Sequence, residues 1–154
     1  MWVENPRAWS LLALVAAAEA GARAEIPVGA VLTDPVGRPL ALLGNRCVDS
    51  SDPLGHAEVR VLRLAAERVG NYRLPGTRLT VSLEPCPMCR EAITLARISE
   101  LRFAAPRPLE LPAATTLSGF QEQQDAPVAL GLLQFFFGMK RASLNCGVHC
   151  DVMV

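Results

Sequence analysis

Apolar and polar positions along the chain alternate between a helical and a strand period. From about Pro6 to Ala20 the chain is mostly apolar, with Trp9, Leu12 and Ala16 on one helical face and Gly21 as the expected stop. Val28 to Thr33 and Leu40 to Leu43 are short apolar runs around Asp34-Pro35-Val36-Gly37, which predicts a hairpin. A second helix is expected from Gly55 to Val69, capped by Asp52-Pro53 and ended by Gly70-Asn71. Arg78 to Leu83 reads as a strand, Met88 to Ala96 as a helix and Leu101 to Ala104 as a fourth strand. Pro106, Pro108 and Pro112 exclude regular structure just beyond it. Gln121 to Asp125 leaves space for only a short fifth strand before a last helix from Pro127 to Lys140. Strands alternating with helices predict one α/β domain of three layers, α/β/α, over residues 1–154, with 141–154 as a loose tail.

Composition narrows the class. A chain of 154 residues can bury a core of its own. Apolar residues make up 51% and charged residues 19%, which leaves little polar surface and predicts a face covered by a partner subunit, a homodimer once the resemblance given below is added. The formal net charge of zero gives no overall basic field, although 15 Lys and Arg can still cluster on one side. Leu11 to Ala18 followed by Ala18-Glu19-Ala20 imitates a signal-peptidase site, but Glu4 accompanies Arg7 ahead of it, and the helix reading is preferred. No apolar run reaches the ~20 residues that cross a bilayer, so no membrane partner is expected. Five cysteines, two of them needed as thiolates below, fit a reducing cytoplasm.

Two short motifs carry chemistry. His56-Ala57-Glu58 is followed thirty residues later by Pro85-Cys86-Pro87-Met88-Cys89. One imidazole and two thiolates, from His56, Cys86 and Cys89, suit a tetrahedral Zn2+ with its fourth position open to water. Glu58 is the wrong residue type for a closed structural site and is placed to carry protons beside the metal. Zinc lowers the pKa of water from ~16 toward ~7, so a hydroxide nucleophile exists at neutral pH. The bland readings fit less well. A redox pair has no use for His-x-Glu upstream, and a four-Cys site needs a second close pair, whereas Cys146 and Cys150 are more widely spaced. Cys146, His149 and Cys150 offer only three ligands in a Gly-containing tail, and Cys47 reads as a small buried residue.

H-x-E with P-C-x-x-C resembles the signature of the zinc deaminases. Glu25-Ile26-Pro27-Val28-Gly29-Ala30-Val31, Gly44-Asn45-Arg46, Asp52-Pro53, Asn71-Tyr72-Arg73-Leu74 and Leu83-Glu84-Pro85 extend the resemblance to the cytidine-deaminase-like superfamily, in order and spacing, from about Ala8 to Phe103. The pattern is most similar to the bacterial tRNA adenosine deaminases, and Phe135-Phe136-Phe137-Gly138-Met139-Lys140-Arg141 resembles their closing aromatic-basic helix. The resemblance implies a mixed sheet of four to five strands. It also implies His56, Cys86 and Cys89 as zinc ligands and Glu58 as acid and base. Asn45, Val28 and the backbone of Ala57 would line the base pocket.

The chain then departs from that pattern. Where the tRNA enzymes carry a Gly-Ala-x-Asp run and then Lys-x-Gly-Ala, this chain reads Phe103-Ala104-Ala105-Pro106-Arg107-Pro108-Leu109, with Arg107 at the Asp position. The expected activity is zinc-dependent hydrolytic deamination of a nucleobase-type ring, with an adenosine of a tRNA anticodon loop as first substrate. A free guanine-, cytosine- or adenine-type base or nucleoside is the alternative substrate. A non-catalytic zinc scaffold is the alternative of another class, one that leaves Glu58 without a use.

Overall fold

The computed structural model describes residues 5–107, 121–122 and 125–145. In order the elements are α1 (Pro6–Ala22), β1 (Gly29–Thr33), β2 (Pro39–Gly44), α2 (Ala57–Val69), β3 (Arg78–Leu83), α3 (Pro87–Leu95), β4 (Glu100–Ala105), β5 (Gln121–Glu122) and α4 (Ala126–Asn145). The strands form one sheet in the order β2-β1-β3-β4-β5. β1 runs antiparallel to β2 and β3, while β3–β4 and β4–β5 are parallel, so the sheet is mixed as expected. α1 lies on β1, β2 and β3 and meets α4, which reaches β4; α2 lies on β1 and β2 and meets α3. Every residue of β1 is buried, as a strand covered on both faces requires, whereas edge strand β2 buries only two of its six. The three-layer arrangement stands.

Local chemistry explains the turns. In the β1–β2 hairpin Asp34 Oδ1 accepts the N–H of Val36 at 2.9 Å and of Arg38 at 2.7 Å. Gly37 takes φ +84° there, a value that favours glycine. Gly70 ends α2 in the left-handed region, as the sequence predicted.

Several expectations need correction. α1 does not bury Trp9 and Leu12. Its buried face is Ser10, Ala13, Leu14, Ala16, Ala17 and Ala20, and Leu12 is 36% exposed. The reason lies in the hairpin beneath. A Cβ on Gly29 would stand 2.2 Å from the Ala13 carbonyl oxygen, and one on Gly44 2.4 Å from that of Ala16. Helix backbone touches strand backbone there, so only alanines fit the contact. Gly21 does not stop α1, which runs to Ala22; Ala24 turns the chain at φ 63°, and the Glu25 N–H closes onto Ala20 O at 3.1 Å. Asp52-Pro53 does not cap α2. Asp52 Oδ1 instead accepts the Leu54 N–H at 2.9 Å in a turn of its own, and His56 is the N-cap. α4 continues past Lys140 to Asn145, so the first five residues of the expected tail are helical. Its aromatics divide: Phe136 is buried against Phe137, while Phe135 is 66% exposed. Among the described residues no helix is long and apolar enough to cross a membrane.

Candidate metal centre and active site

The parallel β3–α3 unit and the loop ahead of α2 bring two helix N-termini together. His56 is the N-cap of α2 and Cys86 the N-cap of α3, and neither side chain caps its own helix. Both side chains are therefore available to each other. His56 Nδ1 lies 3.7 Å from Cys86 Sγ and 3.5 Å from Cys89 Sγ, and the three ligand atoms fall within 4.8 Å of one another. A tetrahedral zinc with bonds of about 2.05 Å to nitrogen and 2.3 Å to sulfur separates those atoms by about 3.6 Å. The residues expected as ligands are thus brought to the spacing the ion requires. The positive ends of two helices also favour thiolates here.

The Cys89 thiol donates to Cys86, which holds Cys86 as a thiolate at about 3, helped by His56. The same contact and burial push the Cys89 thiol up. His56 is raised, chiefly by its hydrogen bond with Cys86. A bound divalent cation would take the place of the proton that Cys89 retains.

Glu58 sits in the first turn of α2, 3% exposed, and its carboxyl is raised by burial. Its Oε2 is buried without a hydrogen-bond partner. A buried carboxylate oxygen with no partner is costly and calls for a water or ligand in the space it faces. The donor set and this orphaned oxygen both fit a zinc centre with an open position.

The expected pocket residues also converge. Asn45 is buried, its N–H donates to Val28 O at 2.9 Å, and its Oδ1 accepts the Ala57 N–H at 2.8 Å. Asn45 thus satisfies the first N–H of α2 that His56 leaves uncapped.

One residue escaped the sequence reading. Glu25 is 1% exposed, and its carboxylate accepts the N–H of Cys47 at 2.9 Å, of Val48 at 3.1 Å and of Asp49 at 2.9 Å. It pins the loop that follows Asn45. The available signal was an acid inside the apolar run Ala24-Glu25-Ile26-Pro27-Val28. Cys47 is only half-buried and contributes mainly its backbone to this loop. Arg102 is tied to Glu100 on β4, and the Arg141 Nε donates to Phe137 O at 3.4 Å on α4. Cys146, His149 and Cys150 lie outside the described residues.

A family model for the cytidine and deoxycytidylate deaminase zinc-binding region matches residues 3–105. The chain belongs to this deaminase family. Within the family it is 50% identical over 97 residues to a tRNA-specific adenosine deaminase of Agrobacterium fabrum, which covers 63% of each chain. It is 34% identical over 125 residues to the tRNA-specific adenosine deaminase of Bacillus subtilis, 79% of this chain and 77% of that one. A structure from work on A-to-I editing by tRNA:A34 deaminases at the wobble position superposes with a TM-score of 0.75 at 37% identity, covering 82% of this chain and 99% of that one. Guanine deaminase from Nitrosomonas europaea shares the fold, with a TM-score of 0.79 at 20% identity over 90% of this chain and 87% of that one. The matched family region ends at Ala105, two residues before Arg107.

Proposed function

We propose that this deaminase-family chain hydrolyses adenosine to inosine in a tRNA anticodon loop. The observation that carries the chemistry is the partnerless, buried Glu58 Oε2 beside three convergent ligand atoms. His56, Cys86 and Cys89 would hold the zinc. When bound, the zinc supplies the Lewis acidity that makes water a nucleophile near neutral pH. Glu58 takes a proton from the attacking water and delivers it to the amine that leaves as ammonia. Burial in the first turn of α2 holds it in place. The Asn45 amide and the wall formed by Val28 and Ala57 orient the ring. The tRNA assignment is supported by the tRNA-specific relatives and the A34 deaminase structure described above.

The protein is further proposed to act as a homodimer in the reducing cytoplasm. Val48 and Leu54, in the loop before α2, and Leu95, at the end of α3, are exposed apolar residues of the kind a subunit contact covers. The deciding experiment treats anticodon stem-loop RNA, free adenosine, guanine and cytosine with zinc-loaded protein and measures inosine and ammonia. Inosine in the RNA and none from free adenosine supports the reading. Ammonia from a free base alone replaces the substrate and keeps the chemistry. No ammonia from any of them favours the non-catalytic scaffold.

A further inference from the structure

The exits of β3 and β4 lie side by side, because the two strands are parallel and Leu83 stands opposite Ala105. The first exit leads to Cys86 and the second to Arg107. Glu84 fastens them together. Its N–H donates to Ala105 O at 2.8 Å, and its Oε2 accepts the Arg107 N–H at 3.0 Å. Its other oxygen takes the guanidinium of Arg90 from α3, whose Nε also donates to Pro85 O at 3.2 Å. Arg107 is therefore fixed by its backbone to the frame that carries Cys86.

The Arg107 side chain is not used by that frame. It is half-buried, and its guanidinium has no hydrogen-bond or ion-pair partner among the described residues. Partial burial of a charge without a partner carries a desolvation cost. Hydrolytic deamination of a neutral ring gives it no proton to carry. The arrangement makes sense if an anion arrives with the substrate. The planar guanidinium matches a phosphate in two-pronged geometry. In a polynucleotide, the anion that accompanies a base into the site is a phosphate flanking that base.

We propose that Arg107 is a specificity-determining residue that grips the phosphate flanking the target nucleoside, and that Glu84 is the positioning residue that sets it. The proposal rests on the RNA deaminase reading and deepens it: the site selects a base with its phosphate and not a free ring.

The test uses zinc-loaded full-length protein and anticodon stem-loop RNAs in which one phosphate, either 5′ or 3′ to the target adenosine, is a neutral methylphosphonate. Wild type should lose about tenfold to a hundredfold in kcat/KM with one of the two, the range for a hydrogen bond to a charged group. Arg107→Ala should lose a similar factor on the all-phosphate RNA and show no further loss with the neutral linkage. Arg107→Gln keeps the main-chain bond to Glu84 and is the second variant, expected to behave likewise. The proposal is overturned if both variants show the same methylphosphonate penalty as wild type, or if wild type ignores both neutral linkages. Turnover of free bases alone would overturn it together with the RNA reading. RNA turnover without coupling to Arg107 would overturn it alone.

Discussion

Replacing Glu25 measures how far the active-site loop depends on one buried carboxylate. The side chain is 1% exposed and receives three main-chain N–H groups from residues 47, 48 and 49 at 2.9–3.1 Å. A hydrogen bond to a charged group contributes about 1.5–3 kcal/mol, so three lost together would total at most about 9 kcal/mol. That ceiling is too high, because Val48 and Asp49 are exposed and their N–H groups regain water once the carboxylate is gone. A loss of about 3 kcal/mol is expected for Glu25→Ala, near the cost of one buried donor left unsatisfied plus weakened hydration of the other two. For a domain of this size that lowers Tm by roughly 6–12 °C. Glu25→Gln is the sharper variant. It keeps the volume, but its NH2 turns a donor toward a donor, so it should recover less than half of the loss. The assay is urea unfolding of zinc-saturated protein followed by circular dichroism, with an unchanged slope required for the comparison. Because Asn45 precedes the pinned loop and holds the Ala57 N–H, kcat/KM should fall in both variants. A loss below about 1 kcal/mol for Glu25→Ala, or full recovery by Gln, would show that the loop is held by something other than the carboxylate.

Other expectations follow from the same geometry. Glu58→Ala should lower turnover by about a hundredfold to ten-thousandfold while zinc stays near one per chain by metal analysis; loss of the metal would make Glu58 a ligand. Gly29→Ala should destabilise the protein by about 1–3 kcal/mol or more in the same urea assay, because the new methyl meets the Ala13 carbonyl and not a side chain that can rotate away. Sedimentation should give a dimer at micromolar concentration, held by more than ~1,000 Å² of contact; monomer alone would count against the proposed interface.

What was legible in the sequence was what sits close together in it. His-x-Glu and Cys-x-x-Cys lie within single turns of their helices, so their spacing carried their geometry directly. Strand and helix order was equally legible from local periods, and β3 was placed at Arg78–Leu83 to the residue. What failed was decided from a distance. Glu25 meets its amides 22–24 residues later, and no local pattern encodes that meeting. The buried face of α1 is chosen by two glycines in another element, so its large apolar residues misled. The β4 exit depends on Glu84, 23 residues before Arg107.

The error at the start of α2 is of a different kind and reaches the chemistry. Asp52-Pro53 attracts the cap assignment because an aspartate at an N-cap is worth about 1 kcal/mol to a helix. The chain instead gives that position to His56, and the corresponding position of α3 to Cys86, neither of which caps its helix. A capping side chain folds back onto its own helix and would be lost to a metal. The first N–H of α2 is then satisfied from outside, by Asn45, and α3 begins with Pro87, which has no N–H to satisfy. Two helix starts are left with ligands aimed at each other, and the residue that repairs one of them is also the residue proposed to meet the substrate. Local stability rules therefore give way where the fold leaves two helix starts without a side-chain cap to make a site.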